Sequence, residues 1–350
     1  MTTAPFGPDD VTAAAVPTGT TSSWAPVDLA ALVAGIRAGT VVGPIPTLLQ
    51  RDDGVALIYP GEVHSIAGEP ESGKGWIMLA ESARLIAAGQ RVLYLDFEDA
   101  PASIVARLIA LGAPDAAIID GFVYVKPEDA LAPDGMARLL ARGPFALAVI
   151  DGVSEAYDLL GLDSHHDAPT FLRRLARPIA KTGAAVVQID HVVKDKTNRG
   201  RYDIGGQGKL AGIATHYGVE VITAPSRHAE GKVKVHVHKD RHGHVRGHAE
   251  GKTIALATIT PHDDGERVTV RLDPPDAATT TDDGRFRHTI YMERVSRHIE
   301  GNPGLATRRI RDDVDGGNDY IDKALRALHD EEFVHVETTG QARRFYSLRP

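Results

Sequence analysis

The chain has 350 residues, of which 43% are hydrophobic and 25% are charged, a composition typical of a soluble protein with one large domain or a core domain with smaller attachments. A formal net charge of −8 argues against a protein that coats nucleic acid indiscriminately, although local basic patches are compatible with it. The absence of cysteine excludes disulfides and thiolate metal sites, and it fits a cytoplasmic location.

The N-terminal segment, residues 1–26, is rich in Thr, Ala, Pro and Gly and is predicted to be disordered. It lacks the basic start and the continuous apolar stretch of a signal peptide. A short helix is predicted over residues 28–38, where four aliphatic side chains share one face. The sequence has no apolar run of about eighteen residues, so we expect no transmembrane helix and no membrane partner.

A glycine-rich segment follows the first predicted core strand, which spans residues 62–67. Residues 68–75 read Gly-Glu-Pro-Glu-Ser-Gly-Lys-Gly, and a helix with an apolar face is predicted to follow. The segment matches the phosphate-binding pattern G-x-x-x-x-G-K-[ST] at every fixed position but the last. Glycines let backbone N–H groups approach phosphate oxygens, and the lysine neutralises their charge. The predicted nucleotide-binding residues are Gly68, Glu69, Pro70, Glu71, Ser72, Gly73, Lys74, Gly75 and Trp76.

The last position of this pattern normally carries a hydroxyl that holds Mg²⁺, and here it is Gly75. The phosphate-binding pattern as a whole predicts ATP and Mg²⁺ as cofactors. Whether hydrolysis is efficient without the hydroxyl stays open.

Strands and helices alternate from about residue 45 to residue 272, which predicts a doubly wound α/β fold with a mainly parallel sheet flanked by helices. Strands are predicted over 91–97, 122–126, 145–150 and 184–189, and helices over 102–111, 135–142 and 169–182. The helices then stop. Four strands predicted over 216–223, 232–239, 252–259 and 267–272 are expected to extend the sheet in antiparallel fashion.

Three polar side chains lie at the ends of predicted core strands, where ligands collect in such sheets. Asp151 ends the apolar run Ala-Leu-Ala-Val-Ile-Asp, the Walker B pattern, and is predicted to hold Mg²⁺; a simple strand cap is the alternative. Glu98 could polarise an attacking water, or it could be an acid in a solvated loop. His191 ends the next strand and could contact the γ-phosphate or the water, whereas a lone histidine often has no role.

These motifs, in this order and spacing, resemble the RecA-like ATPase core over residues 45–260. The resemblance extends to hexameric replicative helicases of the RepA type and their phage- and actinobacterial-encoded relatives. It implies that Glu98 activates water and that His191 senses the γ-phosphate. The stretch Lys239-Asp240-Arg241-His242-Gly243 is similar to the family's Lys-x-Arg-x-Gly motif. By that resemblance, Lys239 and Arg241 reach the neighbouring subunit's γ-phosphate; without it, an exposed strand edge would be the simpler interpretation.

The segment between His191 and His216 is basic, rich in glycine and poor in apolar residues. In the RecA-like family the loop at this place faces a central channel and binds nucleic acid. A basic loop with one aromatic residue suits single-stranded DNA, although a mobile surface loop is the alternative. The predicted DNA-binding residues here are Lys194, Lys196, Arg199, Arg201 and Tyr202.

The C-terminal tail is predicted to form three helices, over 288–299, 307–314 and 318–329, followed by a hairpin of strands 333–337 and 345–348. This order is typical of a winged helix-turn-helix. The third helix begins with Asp319 and Asp322 near its start, which would repel phosphates in a major groove. Contact with DNA or with protein therefore stays open. The predicted DNA-binding residues of the tail are Arg308 and Arg309 on the second helix and Arg343 and Arg344 on the wing, and Arg311 adds basic charge to the second helix.

Five histidines lie close together at positions 236, 238, 242, 244 and 248, and the His236-x-His238 spacing on a strand would place both rings on one face. No acidic or thiolate partner joins them in a recognisable pattern, so we do not predict a metal site here.

The sequence thus predicts a disordered segment (1–26), a RecA-like ATPase domain (27–272), a linker (273–284) and a winged-helix domain (285–350). The expected function is an ATP-hydrolysing DNA helicase or translocase that assembles as a ring, as a hexamer by resemblance, and acts in plasmid, phage or mobile-element replication. The alternative is a nucleotide-gated DNA-binding regulatory or assembly protein with weak or no ATPase activity.

Overall fold

The structure is a computed structural model that describes residues 25–164, 166–191, 210–226, 229–262, 265–275, 289–314, 318–339 and 342–348. The chain divides into two compact units, Met1–Gly43 and Pro44–Pro350. In the first unit, helix α1 (Leu29–Arg37) begins after Asp28, whose carboxylate accepts hydrogen bonds from the backbone N–H groups of Ala30 and Ala31. Residues 1–26 are predicted to be disordered, and residues 1–24 of this segment lie outside the described part.

The second unit begins with a small antiparallel hairpin, β1 (Leu48–Gln50) and β2 (Ala56–Ile58), that sequence patterns did not reveal. A nine-stranded sheet follows. Its strands are β3 (Val63–Gly68), β4 (Val92–Asp96), β5 (Phe122–Val125), β6 (Leu147–Asp151), β7 (Ala185–His191), β8 (Thr215–Thr223), β9 (Gly231–Asp240), β10 (Thr253–Pro261) and β11 (Val268–Asp273). The helices of this unit that flank the sheet are α2 (Lys74–Ala87), α3 (Pro101–Ala110), α4 (Asp115–Gly121), α5 (Gly135–Leu140), α6 (Val153–Leu159), α7 (Ala168–Phe171) and α8 (Arg177–Ala180).

The spatial order of the large sheet is β11-β10-β9-β8-β3-β7-β6-β4-β5. The six strands from β8 to β5 are mutually parallel, and β9, β10 and β11 continue the sheet in antiparallel fashion. The predicted mainly parallel sheet flanked by helices is confirmed. The prediction that β8 would be antiparallel is wrong, because β8 pairs in parallel with β3. The long connection over residues 192–214 permits the crossover that a parallel neighbour requires.

The parallel strands are buried on both faces, which explains why they read as continuous apolar runs. On one face, α2, α3 and α4 pack together with the β1–β2 hairpin. On the other face, α5 to α8 pack. The helix predicted as continuous over 169–182 is broken by a π-helical turn, Leu172–Ala176. Pro178 follows that turn, and its missing N–H and its ring both disfavour a regular α-helix here.

The C-terminal part has its own hydrophobic core, which includes Val295, Ile310 and Ile321. It contains three helices and a three-stranded antiparallel sheet in the order β12-β14-β13. The predicted hairpin is present, but its turn is tighter than the predicted 338–344, because Thr339 already pairs with Ala342. The elements are α9 (Thr289–Gly301), β12 (Leu305–Ala306), α10 (Thr307–Asp313), α11 (Asn318–Asp330), β13 (Val334–Thr339) and β14 (Ala342–Ser347).

One ion pair in the β1–β2 turn is completely buried. The Arg51 and Asp53 side chains lie 2.5 Å apart with no solvent exposure, and the Arg51 guanidinium also donates to the carbonyl of Ile254 at 2.7 Å. Arg294 of α9 donates to the carbonyl of Asp53 at 3.3 Å, which links the C-terminal part to this turn. Within the described ranges, none of the helices is both long enough and apolar enough to cross a membrane.

Candidate nucleotide-binding site

The sheet brings the sequence-predicted phosphate loop and the strand-end residues to one edge. In the register of neighbouring parallel strands, Gly68 lies opposite His191, and Asp151 lies opposite Asp96. The four strands β3, β7, β6 and β4 are adjacent and all end at this edge. Loops that follow the carboxyl ends of parallel strands form the usual ligand crevice of such sheets.

The phosphate loop connects β3 to α2, and its glycines are required by close contacts. Gly73 has a left-handed φ of 85°, and a Cβ there would lie 2.7 Å from the Cδ1 atom of Ile259. A Cβ on Gly68 would lie 2.8 Å from the Ser72 hydroxyl and 3.0 Å from the Val219 carbonyl oxygen. The loop therefore has a tight conformation that larger residues at these positions would disrupt.

Lys74, the first residue of α2, is directed into this loop. Its ammonium donates to the carbonyls of Gly68 at 2.9 Å and Glu69 at 2.7 Å and to the Ser72 hydroxyl at 3.2 Å. The residue is only 5% exposed. A buried cation at the N-terminus of a helix, where backbone N–H groups lack intrahelical partners, is a suitable place for a phosphate group.

Gly75, the second residue of α2, has open space around it. A Cβ added there would meet no atom within 4 Å, and its backbone does not have a positive φ. Packing therefore does not require glycine, and a serine side chain would fit without displacing a neighbour.

Asp151 ends β6 at the centre of an acidic cluster. The hydroxyl of Tyr94 donates to Asp151 Oδ2 at 2.6 Å. Burial raises the pKa of Asp151 to about 6; the negative charges of Glu98 and Asp96 add to this, and the Tyr94 hydrogen bond and the charge of Lys74 oppose it. The charge of Lys74 in the phosphate loop thus acts on the Asp151 carboxylate. It does not offset burial and the neighbouring acids, so the pKa stays raised.

Glu98 is positioned by residues on β4 and β7 and by the close approach of Gly152, which follows β6. The buried carboxylate of Asp96 accepts hydrogen bonds from the backbone N–H groups of Glu98 at 2.9 Å and of Asp99 at 2.8 Å, so the chain turns after β4. The strand predicted over 91–97 therefore ends at Asp96, before Glu98. Glu98 Oε1 lies 2.9 Å from Nε2 of His191, and a Cβ on Gly152 would lie 2.7 Å from the Cγ atom of Glu98.

Glu155, which sequence reasoning missed, joins this cluster from the first turn of α6. Burial raises the pKa of Glu155, and the negative charge of Glu98 and a hydrogen bond to its carboxyl group add to the effect. The only sequence signal was an acid four residues after Asp151, and it was missed because α6 was not predicted.

Lys239 and Arg241 lie at the end of β9 and the start of the loop that follows it. Lys239 Nζ donates to the carbonyl of Leu210, and an Nη atom of Arg241 donates to the carbonyl of Ala211. Within the described part of the chain, neither residue forms a hydrogen bond or an ion pair with residues 68–75. Lys239 and Arg241, which the resemblance predicts to act as a finger on the neighbouring subunit's nucleotide, therefore do not contact the phosphate loop of their own chain.

Asp240, between these two residues, fixes the loop. Its Oδ1 atom accepts from the Tyr59 hydroxyl at 2.9 Å, and Oδ2 accepts from the N–H groups of Val245 and Arg246, both at 2.9 Å. Burial raises the pKa of Asp240, but these hydrogen bonds outweigh it and the pKa lies below its ordinary value. Asp240 therefore stays ionised and holds the segment that carries Lys239 and Arg241.

The other predicted site residues are more dispersed. The ring of Trp76 faces Arg107 of α3, whose guanidinium carbon lies 5.9 Å from the ring centroid. Arg309 pairs with Asp313 at 2.9 Å, and Arg344 donates to the carbonyl of Gly304 at 2.9 Å. Arg308 and Arg343 line a groove of the C-terminal part. The predicted DNA-binding residues Lys194, Lys196, Arg199, Arg201 and Tyr202 lie outside the described residues.

The histidines around β9 are arranged in pairs. His236 and His238 share one face, as predicted, with ring centroids 6.2 Å apart. An acidic partner, not recognised in the sequence, is present, because Glu220 Oε2 lies 2.8 Å from His236 Nε2. In the described ranges, no group of three or more histidine or acidic side chains is arranged to hold a metal ion.

Residues 37–197 match the family model described as an AAA domain. That range includes the phosphate loop, Glu98, Asp151 and His191, but it excludes Lys239 and Arg241. The chain is also 30% identical over 139 residues to the DNA repair protein RadA of Brucella abortus (strain 2308), a match that covers 39% of this chain and 29% of RadA. The chain thus spans less than a third of that relative's length. These similarities support the prediction of a P-loop ATPase domain, and they agree with the mainly parallel sheet.

Proposed function

We propose that the protein is an ATP-hydrolysing DNA translocase or helicase of the RepA type. In this proposal residues 27–272 form a RecA-like ATPase domain, residues 273–284 a linker and residues 285–350 a winged helix. The protein assembles as a ring, a hexamer by its resemblance to RepA-type helicases, in the cytoplasm and acts on single-stranded DNA in plasmid, phage or mobile-element replication. The similarity to RadA, a DNA repair protein, supports a DNA-related role.

The observation that carries the proposal is the contact between Glu98 and His191 beside the phosphate loop. Their side chains lie 2.9 Å apart and are both about one-third exposed, so each can reach a ligand at the edge of the sheet. In the proposed mechanism, Glu98 accepts a proton from the attacking water and His191 contacts the γ-phosphate. Lys74 neutralises phosphate charge. Asp96 acts through Glu98 and is a positioning residue.

The residues present fit a magnesium nucleotide. Asp151 has one oxygen bonded to Tyr94, and its other oxygen has no hydrogen-bond partner among the described residues. Mg²⁺ commonly binds through one or two carboxylates, waters and substrate phosphates, and so it does not require a larger cluster of protein ligands. When bound, the ion neutralises charge on the phosphate oxygens. The open space at Gly75 allows a water molecule where the hydroxyl is missing.

Steady-state ATP turnover with and without single-stranded DNA tests this function. Wild-type protein should show turnover that DNA stimulates, and Glu98→Gln should lower it by roughly 10²- to 10⁴-fold, the usual contribution of a general base. The exposed Glu128 provides a matched control, since Glu128→Gln makes the same chemical change away from the site. If the protein binds ATP but wild-type turnover is no higher than that of Glu98→Gln, the proposed translocase or helicase function is refuted.

The second part of the proposal is that Lys239 and Arg241 act at the nucleotide site of the neighbouring subunit. A mixing experiment tests it. Arg241→Ala keeps its own Glu98, whereas Glu98→Gln keeps its own finger, so each variant alone should be inactive. In a ring assembled from equal amounts, about one-quarter of the interfaces combine the two intact halves. Turnover should therefore return to about a quarter of wild type. No recovery on mixing, or a particle mass that stays monomeric with ATP and DNA, contradicts a shared site.

Gly75 favours one alternative function, a nucleotide-gated DNA-binding regulator that hydrolyses little ATP. In that case ATP should change the particle mass or the DNA affinity, while turnover stays at the level of Glu98→Gln. The turnover assay above therefore separates the two functions.

A further inference from the structure

The C-terminal part contains a groove of about 830 Å³ between α10, α11 and the β13–β14 hairpin. Its floor is partly apolar and includes Leu325, Val336 and Phe345. Its walls carry four arginines from three different elements. These are Arg308 and Arg311 on α10, Arg326 on α11 and Arg343 on β14.

Asp322 is the only acid among the described residues that line this groove, and it is neutralised there. Arg311 binds the Asp322 carboxylate through two nitrogens, with the Nε contact at 2.8 Å. The Nε atom of Arg326 donates to the backbone carbonyl of Asp322 at 3.2 Å. Four arginines against one aspartate leave three positive charges in excess, although the whole chain carries −8. Asp322 is therefore not the repulsive charge that its place in the sequence suggested.

The arginines that sequence patterns grouped together separate into two sets. Arg308 and Arg343 are exposed, line the groove and have no carboxylate partner among the described residues. Arg309 is paired with Asp313, and Arg344 is bonded to a backbone carbonyl; neither lines the groove. The tail arginines thus carry the same charge but differ in location, since Arg308 and Arg343 lie in the groove and Arg309 and Arg344 lie outside it.

We propose that this groove binds the sugar-phosphate backbone of nucleic acid without reading its sequence. Guanidinium groups match the geometry of phosphate oxygens, and arginines spread over three elements can contact several phosphates along a strand. Asp322 near the start of α11 does not obstruct this arrangement, because in it the nucleic-acid backbone lies between the helices and the hairpin and the helix does not enter a major groove. The inference rests on the proposed function in one respect, that the partner is DNA.

The experiment measures DNA affinity of the full chain by fluorescence anisotropy as a function of salt, with both a single strand and a duplex as probes. Arg308→Gln, Arg326→Gln and Arg343→Gln should each weaken binding at least about tenfold at low salt, as expected for losing a charged hydrogen bond. Each should also reduce the slope of log affinity against log salt by roughly 0.7 to 0.9, the value for one phosphate contact.

Two matched variants remove the same charge outside the groove. Arg309→Gln and Arg297→Gln, the latter at an exposed residue of α9, should keep affinity within about twofold of wild type and leave the salt slope unchanged. Thermal melting of all five variants checks that the fold is retained. Arg326→Lys, which keeps the charge, should recover most of the affinity if the fold tolerates the change.

The outcomes separate the two proposals. If wild type binds DNA and the groove variants lose no more affinity than Arg309→Gln, the groove proposal is wrong and the DNA function stands. If wild type binds neither probe but hydrolyses ATP, both the DNA function and the groove proposal fail while the ATPase stands. Direct binding of a labelled acidic polypeptide such as polyglutamate, in the absence of DNA binding, would assign the groove to a protein partner and overturn the proposal.

Discussion

Replacing Asp151 by asparagine should stabilise the protein in the absence of nucleotide and metal while it abolishes ATP turnover. Asp151 lies in a cluster with Glu98 and Asp96, where burial raises its pKa from 3.8 to about 6. Asparagine has nearly the same shape and can still accept the hydrogen bond from Tyr94, but it carries no charge.

The size of the effect follows from this shift. A raised pKa of about two units corresponds to about 3 kcal/mol of unfavourable free energy in the ionised native state. Asp151 is partly exposed, so solvent screening reduces this figure, and we expect a gain of about 1–2 kcal/mol for the variant. Since 1 kcal/mol changes the melting temperature of a large domain by roughly 2–4 °C, the gain should be measurable.

The dependence on pH has a definite sign. Above about pH 6 the carboxylate is ionised in both folded and unfolded chains, and the native state bears the full penalty. Below about pH 4 it is protonated in both states, and the penalty disappears. The stability difference between Asp151→Asn and wild type should therefore be largest near pH 7.5 and should shrink towards pH 4.

Thermal denaturation without nucleotide at several pH values measures this difference, and Asp129→Asn, at an exposed aspartate, provides the control. Adding magnesium and ATP should reverse the order, because only wild type gains stability from the bound ligand. A variant that is less stable than wild type at pH 7.5, or a difference that does not change with pH, would contradict the electrostatic interpretation.

Three further predictions follow from single contacts. Gly75→Ser should raise ATP turnover and lower the magnesium concentration needed for half-maximal rate, since the added side chain meets no neighbour; an unchanged rate and metal dependence would show that the hydroxyl is not needed. Asp53→Ala should cost about 3–5 kcal/mol in chemical denaturation because it leaves a buried guanidinium unpaired, whereas Arg138→Ala, which breaks an exposed pair, should cost less than about 1 kcal/mol. Tyr59→Phe should lower kcat and leave KM for ATP nearly unchanged, because it loosens the Asp240 anchor of the finger and not the phosphate loop; a change in KM alone would refute this role.

The parallel core could be predicted because the patterns that specify its strands and helices lie within short stretches of the sequence. Strands such as β6 and β7 are buried on both faces, so they read as continuous apolar runs, and their polar last residues mark the ligand edge. The helices between them have apolar faces of helical period. This is why the phosphate loop, Asp151 and His191 could be assigned to one edge before the topology was known.

The remaining features depend on contacts between residues far apart in the sequence. The parallel pairing of β8 with β3 depends on a crossover, which apolar alternation does not encode. Asp96 is buried because Tyr124 from a neighbouring strand binds it, and Glu155 approaches Glu98 only through the helix that follows β6. The neutralisation of Asp322 by Arg311 likewise connects two helices. Sequence patterns record residue types, but they do not record these partners.

The hydrogen bond between Tyr59 and Asp240 has a mechanical consequence. Tyr59 precedes β3, the strand that carries the phosphate loop, and its backbone carbonyl is bonded to the buried His64 of that strand. Asp240 lies between Lys239 and Arg241. In the proposed ring, one protomer's phosphate loop and the finger that it offers to its neighbour are thus connected through these hydrogen bonds. A displacement of β3 when nucleotide binds would then move that finger, so the nucleotide sites of adjacent subunits would be coupled to each other.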